Sequence, residues 1–446
     1  MIVCKFGGTS VADAAAIRRA AEIVRGRAER RPIVVVSALA GVTNALLAIA
    51  EQASGGQLIK ALSGVDELRE RHLTESRALL GEGAPDVEGA VTAHFTELAA
   101  LATALNTLGH VTPRSYDAIA AIGERCASLI VVSAFRKLGL DAVHIDARDV
   151  VKTDATFMRA EPKTDEIAAA SRYLIAPHVR AKRIPVMGGF VGSTDTGITT
   201  TLGRGGGDYS AALIGAAIPA EAIEIWTDVD GMLTADPRVV SNARLIEEIR
   251  FEEASELASF GAKVLHPSTI APAVKLGIPV FIFNSRRPEG KGTRITFDAP
   301  RRAVTAIAGK QGVTMLRVRS TRMLMAHGFL SEIFDTFERH RTSVDVVATS
   351  EVSVSLTVDD ASHLDDLVHD LSKLGDVSIE RNRGIVALVG ADLGASSPSM
   401  ARALSALGDI RVHMLSLSAT GINLTLLVDG EAVSEAMRRL HGAFFE

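Results

Sequence analysis

Two glycine-rich segments, each with a cation inside it, have the composition of anion-binding turns. Lys5 to Ser10 reads KFGGTS and directly follows the apolar run Met1 to Cys4. A strand, a Gly-Gly turn and a helix in that order would direct free backbone N–H groups and the positive end of a helix at one point. Gly203 to Asp208 reads GRGGGD and precedes a predicted helix over Tyr209 to Ala217. Two such turns predict a pair of anionic ligands, with a phosphate at one turn.

Neither segment matches a standard nucleotide-binding motif. The sequence contains no G-x-x-x-x-G-K-[ST], which excludes a P-loop. No G-x-G-x-x-G follows the first predicted strand, and the acidic partner of a dinucleotide site is missing at its usual distance. Taken alone, the first segment also fits an ordinary βα turn and the second a flexible loop. Flexibility alone does not explain an arginine and an aspartate inside the second segment.

Three further segments carry polar groups that a ligand could contact. Trp226 to Gly231 ends a predicted strand, so its Thr and Asp could meet a nucleotide sugar while Arg238 reaches a phosphate. Lys263 lies beside a glycine within Phe260 to Pro267. Glu124 lies in an apolar helical stretch, where a semi-buried carboxylate needs a partner such as a substrate ammonium. A polar βα loop and a solvated lysine are the alternatives for the first two.

Short β-branched runs and amphipathic segments alternate through the first two thirds of the chain. The predicted buried strands are Ile2 to Cys4, Ile33 to Val36, Val143 to Ile145, Ile184 to Met187, Ile223 to Trp226 and Val280 to Phe283. Helices are predicted over Asp13 to Arg27 and Asp117 to Lys137. This rhythm predicts an α/β fold with a mostly parallel sheet covered by helices on both faces. Ligands of such sheets bind at the carboxyl ends of the strands. Glu51 to Asn106 lacks a strand signal and predicts a helical excursion.

The last third of the chain repeats itself after a Pro- and Gly-containing linker at Pro288 to Gly292. Val344, Ser350, Leu356 and Thr357 recur 68 residues later as Val412, Ser418, Leu424 and Thr425. Each copy has a helix, two alternating strands and a second helix, over Ala361 to Leu374 and Glu431 to His441. Two βαββαβ modules explain this order, and chance self-similarity of β-rich sequence is the alternative.

The composition is that of a globular protein of more than one domain. The 446 residues exceed a single core, and 47% hydrophobic with 23% charged residues leaves no disordered tract. A net charge of −5 with interspersed signs gives no reason to expect a nucleic-acid partner. Cys4 and Cys126 are too few for a disulfide framework or a zinc site. Lys5 interrupts the N-terminal apolar run, and runs such as Ile33 to Val36 cannot span a bilayer, so a cytoplasmic protein without membrane contact is expected.

Together these segments closely resemble the aspartate kinase family. The matching stretches are Lys5 to Asp13, Val34 to Asn44, Gly123-Glu124, Thr199 to Ala211, Trp226 to Val240 and Phe260 to Pro267. The resemblance implies an amino-acid kinase fold over residues 1–295, and two ACT modules over residues 318–381 and 382–446. Residues 300–317 would be a linker and strand, and Val304 to Lys310 would complete the second module. Met323 to Phe334 and Ser343 to Asp359 look most like the lysine-sensitive, single-function branch.

The resemblance implies transfer of the γ-phosphoryl group of ATP to the β-carboxylate of L-aspartate. The product, 4-phospho-L-aspartate, opens the biosynthesis of lysine, threonine and methionine. A carboxylate with a pKa of about 3.9 is ionised at neutral pH, so the reaction needs no general base. Catalysis must instead position and neutralise two mutually repelling anions. Mg²⁺ is expected to be held mainly by the ATP phosphates, without a dedicated set of protein ligands.

The residue roles carry over from the family to the matching positions. The catalytic residues would be Lys5, Arg204 and Asp208, with Asp208 orienting Lys5. The aspartate pocket would be formed by Ser37, Thr43, Glu124 and Arg204. The ATP site would be lined by Lys5, Phe6, Gly7, Gly8, Thr9, Thr227, Asp228, Leu233, Arg238, Lys263 and Val264. Leu233 departs from the family, because relatives often have a tyrosine there that contacts the nucleotide.

The resemblance also implies an effector site between the ACT modules of two subunits, and hence a homodimer or tetramer. Its residues would be Met323, Ala326, Gly328, Phe329, Leu330, Ser343, Val344, Asp345, Thr349, Ser350 and Glu351. Asp345 and Glu351 are suitable acceptors for a cationic amino acid such as lysine, although both also fit solvated edge-strand carboxylates. Ala326 stands where lysine-sensitive relatives often carry a serine. We expect lysine to inhibit by a population shift.

Other functions compete with this interpretation. A kinase of the same fold could act on glutamate, acetylglutamate or a nucleotide, but the paired ACT tail and Glu124 argue against it. A non-catalytic ACT-type amino-acid sensor would not be expected to keep Lys5, Arg204 and Asp208 together. A bifunctional kinase–dehydrogenase is disfavoured, because the sequence ends after the repeat and leaves no room for a Rossmann domain.

Overall fold

A computed structural model describes residues 1–81, 84–260, 267–323, 327–359, 362–394 and 397–446. The chain divides into two compact units, Met1–Met232 with Val264–Phe297, and Leu233–Lys263 with Asp298–Glu446. The strands are β1 (Ile2–Phe6), β2 (Pro32–Val36), β3 (Ala142–His144), β4 (Ile184–Gly188), β5 (Val191–Ser193), β6 (Thr199–Thr201), β7 (Ala222–Thr227), β8 (Glu248–Arg250), β9 (Val280–Asn284), β10 (Thr293–Thr296), β11 (Ala306–Arg319), β12 (Val347–Thr349), β13 (Ser353–Val358), β14 (Asp376–Val389), β15 (Val412–Leu417) and β16 (Asn423–Asp429).

The α-helices are α1 (Ala14–Arg25), α2 (Val42–Ser54), α3 (Leu58–Leu80), α4 (Pro85–Leu108), α5 (Pro113–Lys137), α6 (Ala147–Val150), α7 (Thr164–Leu174), α8 (Ala176–Arg180), α9 (Gly206–Ala217), α10 (Phe251–Ser259), α11 (Ala271–Lys275), α12 (Phe329–Arg339), α13 (Leu364–Leu371), α14 (Ser397–Leu407) and α15 (Val433–Phe445). Among the described residues, the predicted helical excursion is confirmed by the end of α2 together with α3 and α4.

The first unit is built around a mostly parallel sheet, as the βαβ rhythm predicts. Its strands lie in the order β3-β4-β2-β1-β7-β9-β10, and only β10 runs antiparallel to its neighbour β9. All six predicted strands are present, each within two residues of its expected ends. β1 lies between β2 and β7, so Lys5 is paired with Val35 and Ile225. The carboxyl ends of these three central strands therefore meet at one edge.

Alternation along β1 separates the core from the cleft. Ile2, Cys4 and Phe6 join the hydrophobic core beneath α1, α2 and α5, and each is fully buried. Since neighbouring side chains of a strand point to opposite faces, Lys5 lies on the other face of the sheet. There it contacts the start of α9. One strand thus supplies both packing and a charged group.

The second unit contains an antiparallel sheet shared by the two halves of the repeat. Its strand order is β12-β13-β11-β14-β16-β15. The long strands β11 and β14 pair antiparallel over two stretches, which an irregularity near Gln311 and Val313 separates. Val313 to Arg319 pair with the first part of β14, whereas Ala306 to Gln311 pair with its last residues. Ala306 to Gln311, which precede the first copy of the repeat, therefore pair beside the strands of the second copy.

The ACT-type half of the fold prediction is confirmed, while the domain boundaries stay predictions. The change of partner in β11 falls inside the predicted linker segment 300–317. Residues 233–263, predicted to lie in the catalytic domain, group with the second unit. Among the described helices, α5 alone is long and apolar enough to cross a membrane by length and composition, and 78% of its apolar window is buried inside the protein. The buried core helix of a globular protein can have the same length and apolar composition.

Candidate active site

A cleft of about 560 Å³ opens in the first unit, beside the carboxyl ends of β1 and β2 and the start of α9. The side chains and glycines that line it are Lys5, Ser37, Thr43, Asn44, Leu47, Tyr116, Ala120, Glu124, Met158, Phe190, Thr201 and Gly203 to Asp208. The structure therefore brings all the predicted catalytic and aspartate-binding residues to one cavity. Asn44, Tyr116, Met158 and Thr201 are lining residues that the sequence analysis did not name.

Lys5 and Asp208 form an ion pair in this cleft. The distance between Lys5 Nζ and Asp208 Oδ1 is 2.7 Å, and the two side chains are only 11% and 14% exposed. The contact is electrostatic rather than a well-directed hydrogen bond, because no described residue gives Oδ1 a partner of hydrogen-bond geometry. Partial burial shields the pair from solvent screening. The carboxylate thus holds the ammonium group near the carboxyl end of β1. The resemblance implies this orienting role for Asp208.

The triple-glycine segment bends tightly and exposes the start of a helix to the cleft. Gly203 and Gly205 have φ angles of 77° and 73°, a conformation that favours glycine. α9 begins at Gly206, earlier than predicted, and its N-cap, Gly205, provides no side-chain cap. A Cβ atom on Gly207 would lie 3.1 Å from Lys5 Cε and 3.3 Å from Ser37 Oγ. The bare glycine keeps this space open at the positive end of a helix.

The first glycine turn differs from the prediction in two details. The N–H of Gly7 donates to the carbonyl oxygen of Trp226 at 3.0 Å, so in this structure it is not free for a phosphate. α1 starts only at Ala14, and the carboxylate of Asp13 caps it by accepting from Ala16 N–H. The start of α1 is therefore already satisfied, but a 3₁₀ helix over Gly8–Val11 directly follows the turn, and its N-cap Gly7 supplies no side-chain cap. Within the described residues, we find no acceptor for the N–H groups of Gly8 and Thr9.

Glu124 is a buried, incompletely paired carboxylate on the wall of the cleft. The residue is 5% exposed, and Oε2 has no hydrogen-bond partner among the described residues. Burial raises the pKa of Glu124 to about 7, opposed by a backbone hydrogen bond from Ala38 and by the nearby Lys5 charge. Gly123 permits this placement, because a Cβ atom there would lie 2.8 Å from Ala38 Cβ. An ammonium group in the cleft would supply the missing partner.

The raised pKa of Glu124 predicts a pH dependence of aspartate use. As the pH falls through about 7, Glu124 becomes protonated and loses the charge that would pair with a substrate ammonium. We expect kcat/KM for aspartate to fall about tenfold per pH unit below that value. Glu124→Gln should lower kcat/KM at high pH and remove the dependence. A wild-type profile that stays flat across this range would contradict the role of Glu124.

The remaining aspartate-pocket residues also face the cleft. Arg204 is exposed, and no ion pair or side-chain hydrogen bond to another described residue occupies its guanidinium. Ser37 follows β2, where its N–H donates to the carbonyl oxygen of Phe6 at 3.0 Å. Thr43 lies in the first turn of α2, whose N-cap is Gly41 with a φ of 80°. The end of β2 and the first turn of α2 therefore present two hydroxyl groups to the cleft that Lys5 also lines.

Asp117 is a buried acidic residue of this region that the sequence analysis did not identify. It lies in α5, is 0% exposed, and accepts hydrogen bonds from Met158 and Thr201. Burial raises the pKa of its carboxyl group, and these hydrogen bonds oppose the rise. The available signal was its position seven residues before Glu124, which places both acids on one face of a predicted helix.

The predicted nucleotide residues are spread over both units. Thr227 ends β7 and Asp228 follows it, with Thr227 Oγ1 donating to Asp228 Oδ1 at 3.3 Å. The side chain of Phe6 is fully buried on the core face of β1 and stacks on Trp226, with ring centroids 6.2 Å apart. Any contact of Phe6 with a nucleotide would therefore involve its backbone. Lys263 and Val264 lie outside the described residues.

Leu233 and Arg238 lie in the second unit. Leu233 is half-buried and forms an isolated bridge with Leu245. Arg238 is 84% exposed, and its Nη2 lies 2.6 Å from Asp236 Oδ2. This pairing lowers the pKa of Asp236. A phosphate bound by Arg238 would therefore share the guanidinium with Asp236 or replace it.

The predicted effector residues lie at the two ends of β12 and at the start of α12. Gly328 caps α12 with a φ of 87°, and Leu330 is 41% exposed. Phe329 is 7% exposed and its side chain packs in the core of this unit, so at an effector site it would offer its backbone groups. Met323 is half-buried and ends a short 3₁₀ helix. Ala326 lies outside the described residues.

Asp345 lies just before β12, beside Lys310. Ser343 and Val344 precede it, and Thr349, Ser350 and Glu351 are exposed at the far end of the strand. Asp345 Oδ1 lies 3.6 Å from Lys310 Nζ, which also contacts Asp359. Burial raises the pKa of Asp345 to about 6, while Lys310 opposes the rise and Asp359 adds to it. The structure thus groups two acids around one lysine here.

Comparison with known proteins agrees with this architecture. The amino acid kinase family matches residues 1–284, and an ACT domain matches residues 386–444. The lysine-sensitive aspartokinase 3 of Escherichia coli (strain K12) is 38% identical over 459 residues, covering 100% of this chain and 99% of that protein. A crystal structure of E. coli aspartokinase III with aspartate and ADP (R-state) covers 100% of both chains, with 37% identity and a TM-score of 0.88. The same enzyme with lysine and aspartate (T-state) covers 100% of both chains, with 37% identity and a TM-score of 0.84.

A parallel α/β sheet, a cleft rich in cations and glycines, and the match over most of the chain define the protein as an amino acid kinase. Within that class, the chain belongs to the aspartokinases, which are ATP-dependent phosphotransferases with a carboxyl group as acceptor.

Proposed function

We propose that the enzyme transfers the γ-phosphoryl group of ATP to the β-carboxylate of L-aspartate, giving 4-phospho-L-aspartate and ADP. The observation that carries the proposal is the shared cleft. It combines the Lys5–Asp208 pair, the open start of α9, the exposed Arg204 and the incompletely paired Glu124. Arg204 would bind a substrate carboxylate and Glu124 the α-ammonium. This orientation directs the β-carboxylate toward Lys5.

In the reaction, one β-carboxylate oxygen forms a bond to the γ-phosphorus as the bond to the β,γ-bridging oxygen breaks. The electron pair leaves with ADP, and no proton needs to move because the nucleophile is already ionised. Lys5 neutralises charge on the transferring group, and Asp208 holds Lys5 in place. The positive end of α9 and the N–H groups of Gly8 and Thr9 would add fixed dipoles.

The bound nucleotide would bring Mg²⁺ with it. No group of three or more His, Cys, Asp or Glu side chains in the described parts of the chain is arranged to hold a metal ion. The space beside Gly207, which a Cβ atom would fill, suits phosphate oxygens next to Lys5. Mg²⁺ usually keeps several waters and binds through substrate phosphates. When bound, the ion would neutralise phosphate charge and orient the leaving group.

Aspartate-dependent ADP release, together with capture of the product as a hydroxamate, tests this proposal. Hydroxylamine traps an acyl phosphate, so both signals should appear with ATP and L-aspartate. Glutamate and acetylglutamate are the control acceptors and should give neither. ADP formation that is independent of aspartate, or a preference for another acceptor, would overturn the proposal.

The ACT-type unit supports feedback inhibition by lysine. The E. coli relative has been crystallised with lysine and aspartate in a T-state, and this chain places Asp345 beside a cluster of charges. Asp345 would accept the ammonium group of the effector, which would favour a state with a misaligned catalytic cleft. Adding millimolar lysine should therefore lower the rate, and an unchanged rate would rule lysine out.

The pKa of Asp345 gives this regulation a pH dependence. Above about pH 6 the carboxyl group is ionised and can pair with lysine, whereas below that value it is neutral. Lys310 and Asp359 face it and set this balance. We expect the lysine concentration for half-inhibition to rise as the pH falls through about 6, with each rate normalised to the uninhibited rate at the same pH. Asp345→Asn should remove the trend, and an unchanged half-inhibition concentration in the wild type would contradict it.

We also propose a homodimer or tetramer formed through the ACT modules of a cytoplasmic enzyme. β12 is an edge strand of the six-stranded sheet, and α12 exposes Leu330 and Phe334, each 41% accessible. Four residues apart, these side chains share one helix face. A second copy of the chain would cover both the edge and the patch. Light scattering should give a dimer or larger species, and Phe334→Glu should weaken it.

A further inference from the structure

Asp117 ties together two segments of the cleft wall that are distant in sequence. Met158 N–H donates to both of its carboxylate oxygens at 3.0 Å. Thr201 donates from its backbone N–H at 2.9 Å and from Oγ1 at 2.7 Å. The acid is 0% exposed, so water cannot replace these contacts. A buried carboxylate that is fully used in this way holds its partners rigidly.

Both partners adjoin the segment that carries Arg204. Thr201 ends β6, and Gly203 follows two residues later. Met158 has a φ of 69°, an uncommon conformation for a side chain of its size, and its carbonyl oxygen lies 3.0 Å from where a Cβ atom on Gly203 would be. Met158, Thr201, Gly203 and Arg204 line the same cleft. The backbone that leads to Arg204 is therefore fixed from two sides through one carboxylate.

We infer that Asp117 is a positioning residue for aspartate binding. This inference rests on the proposed function. Asp117 does not line the cleft and acts through the backbone on either side. Arg204 has no ion pair with a described residue, so the position of its guanidinium depends on the chain that carries it. Loss of Asp117 would leave the Thr201 N–H and hydroxyl groups buried and unpaired and would release the Met158 N–H, so the segment would shift to hydrate them.

Kinetics of Asp117→Ala separate this role from a general loss of stability. We expect KM for aspartate to rise about 10- to 100-fold, because a small displacement of a binding group costs that much. KM for ATP should stay within about twofold of the wild type, since the change acts on one substrate. Asp117→Asn keeps the shape and part of the hydrogen bonding, and should give a smaller rise of the same kind.

Glu253 offers a matched control in the second unit. It is also a buried carboxylate, 1% exposed, and accepts from Thr305 Oγ1 at 2.7 Å and from Arg250 N–H at 3.1 Å. Glu253→Ala should lower the melting temperature and leave KM for aspartate unchanged. The double variant Asp117→Ala/Arg204→Ala should resemble Arg204→Ala alone, because coupled residues are not additive.

The outcomes distinguish this inference from the function on which it rests. If wild-type enzyme shows no aspartate-dependent ADP formation, the proposed function itself fails. If the wild type phosphorylates aspartate but Asp117→Ala and Asp117→Asn both keep KM for aspartate within about twofold, the positioning role is wrong. Fully additive effects of Asp117→Ala and Arg204→Ala would also overturn it, since Asp117 would then act independently of Arg204.

Discussion

Lys5→Ala is expected to lower kcat for aspartate phosphorylation by about 10²- to 10³-fold, the cost of removing one fixed electrostatic contact from a transition state. Lys5 is 2.7 Å from Asp208 and only 11% exposed, so its charge acts in a poorly solvated place. KM for ATP should change much less, because the charge is needed most as the phosphoryl group transfers. Steady-state ADP release at saturating aspartate measures both constants.

A lysine of the same unit provides the control for this experiment. Lys163 also forms ion pairs, with Asp195 at 2.6 Å and with Glu166 at 3.3 Å, but it does not line the cleft. Lys163→Ala should leave kcat unchanged. Asp208→Asn keeps the Lys5 charge but releases its position, and should give an intermediate loss. A Lys5→Ala enzyme with wild-type kcat would show that phosphoryl transfer happens elsewhere.

Arg204→Ala should mainly raise the KM for aspartate, by about 10- to 100-fold, the cost of losing a charge-assisted hydrogen bond. The guanidinium is exposed in the cleft and would bind a substrate carboxylate through two parallel bonds. kcat should fall less, since Arg204 contacts a part of the substrate that does not react. Initial rates at varied aspartate and saturating ATP give the two effects separately.

Arg204→Lys tests whether the geometry or only the charge matters. An ammonium group keeps the charge but cannot form the bidentate contact, so KM should lie between those of the wild type and Arg204→Ala. Arg180→Ala, at the exposed end of α8, is the control and should change neither constant. An equal rise of KM for ATP in Arg204→Ala would contradict binding of aspartate by this residue.

The periodic parts of the fold were predictable from sequence for a physical reason. Strands buried on both faces require continuous β-branched runs, which is why Ile33 to Val36 and Ile223 to Trp226 predict β2 and β7 closely. The repeat in the tail predicts the paired modules, because each copy must bury its own alternating strands. The residues that line the cleft follow from the rule that ligands bind at the carboxyl ends of parallel strands.

Contacts between distant segments were not predictable in the same way. The Gly7 N–H is taken by Trp226, which lies on β7, and local sequence cannot reveal that pairing. Asp13 caps α1, and a 3₁₀ helix over Gly8–Val11 rather than α1 begins beside Lys5. Asp117 looked like an ordinary residue near the start of an amphipathic helix, since its partners lie 41 and 84 residues away.

The alternation along β1 separates the side chain of Phe6 from that of Lys5. If Lys5 faces the cleft, its neighbour Phe6 must face the opposite side of the strand. The structure places Phe6 in the core beside Trp226. The resemblance assigned the whole KFGGT segment to the nucleotide site, whereas side-chain direction separates residues within it. Domain boundaries were equally hard to place, because β11 serves both modules.

A crystal structure with aspartate and a non-hydrolysable ATP analogue would show whether Lys5, Arg204 and the start of α9 bring the β-carboxylate and the γ-phosphate together. We predict that the α-carboxylate binds Arg204, the α-ammonium binds Glu124, and the β-carboxylate points to a γ-phosphate held beside Lys5 and the start of α9. A complex in which the analogue or the aspartate binds away from Lys5 and Arg204 would contradict this mechanism.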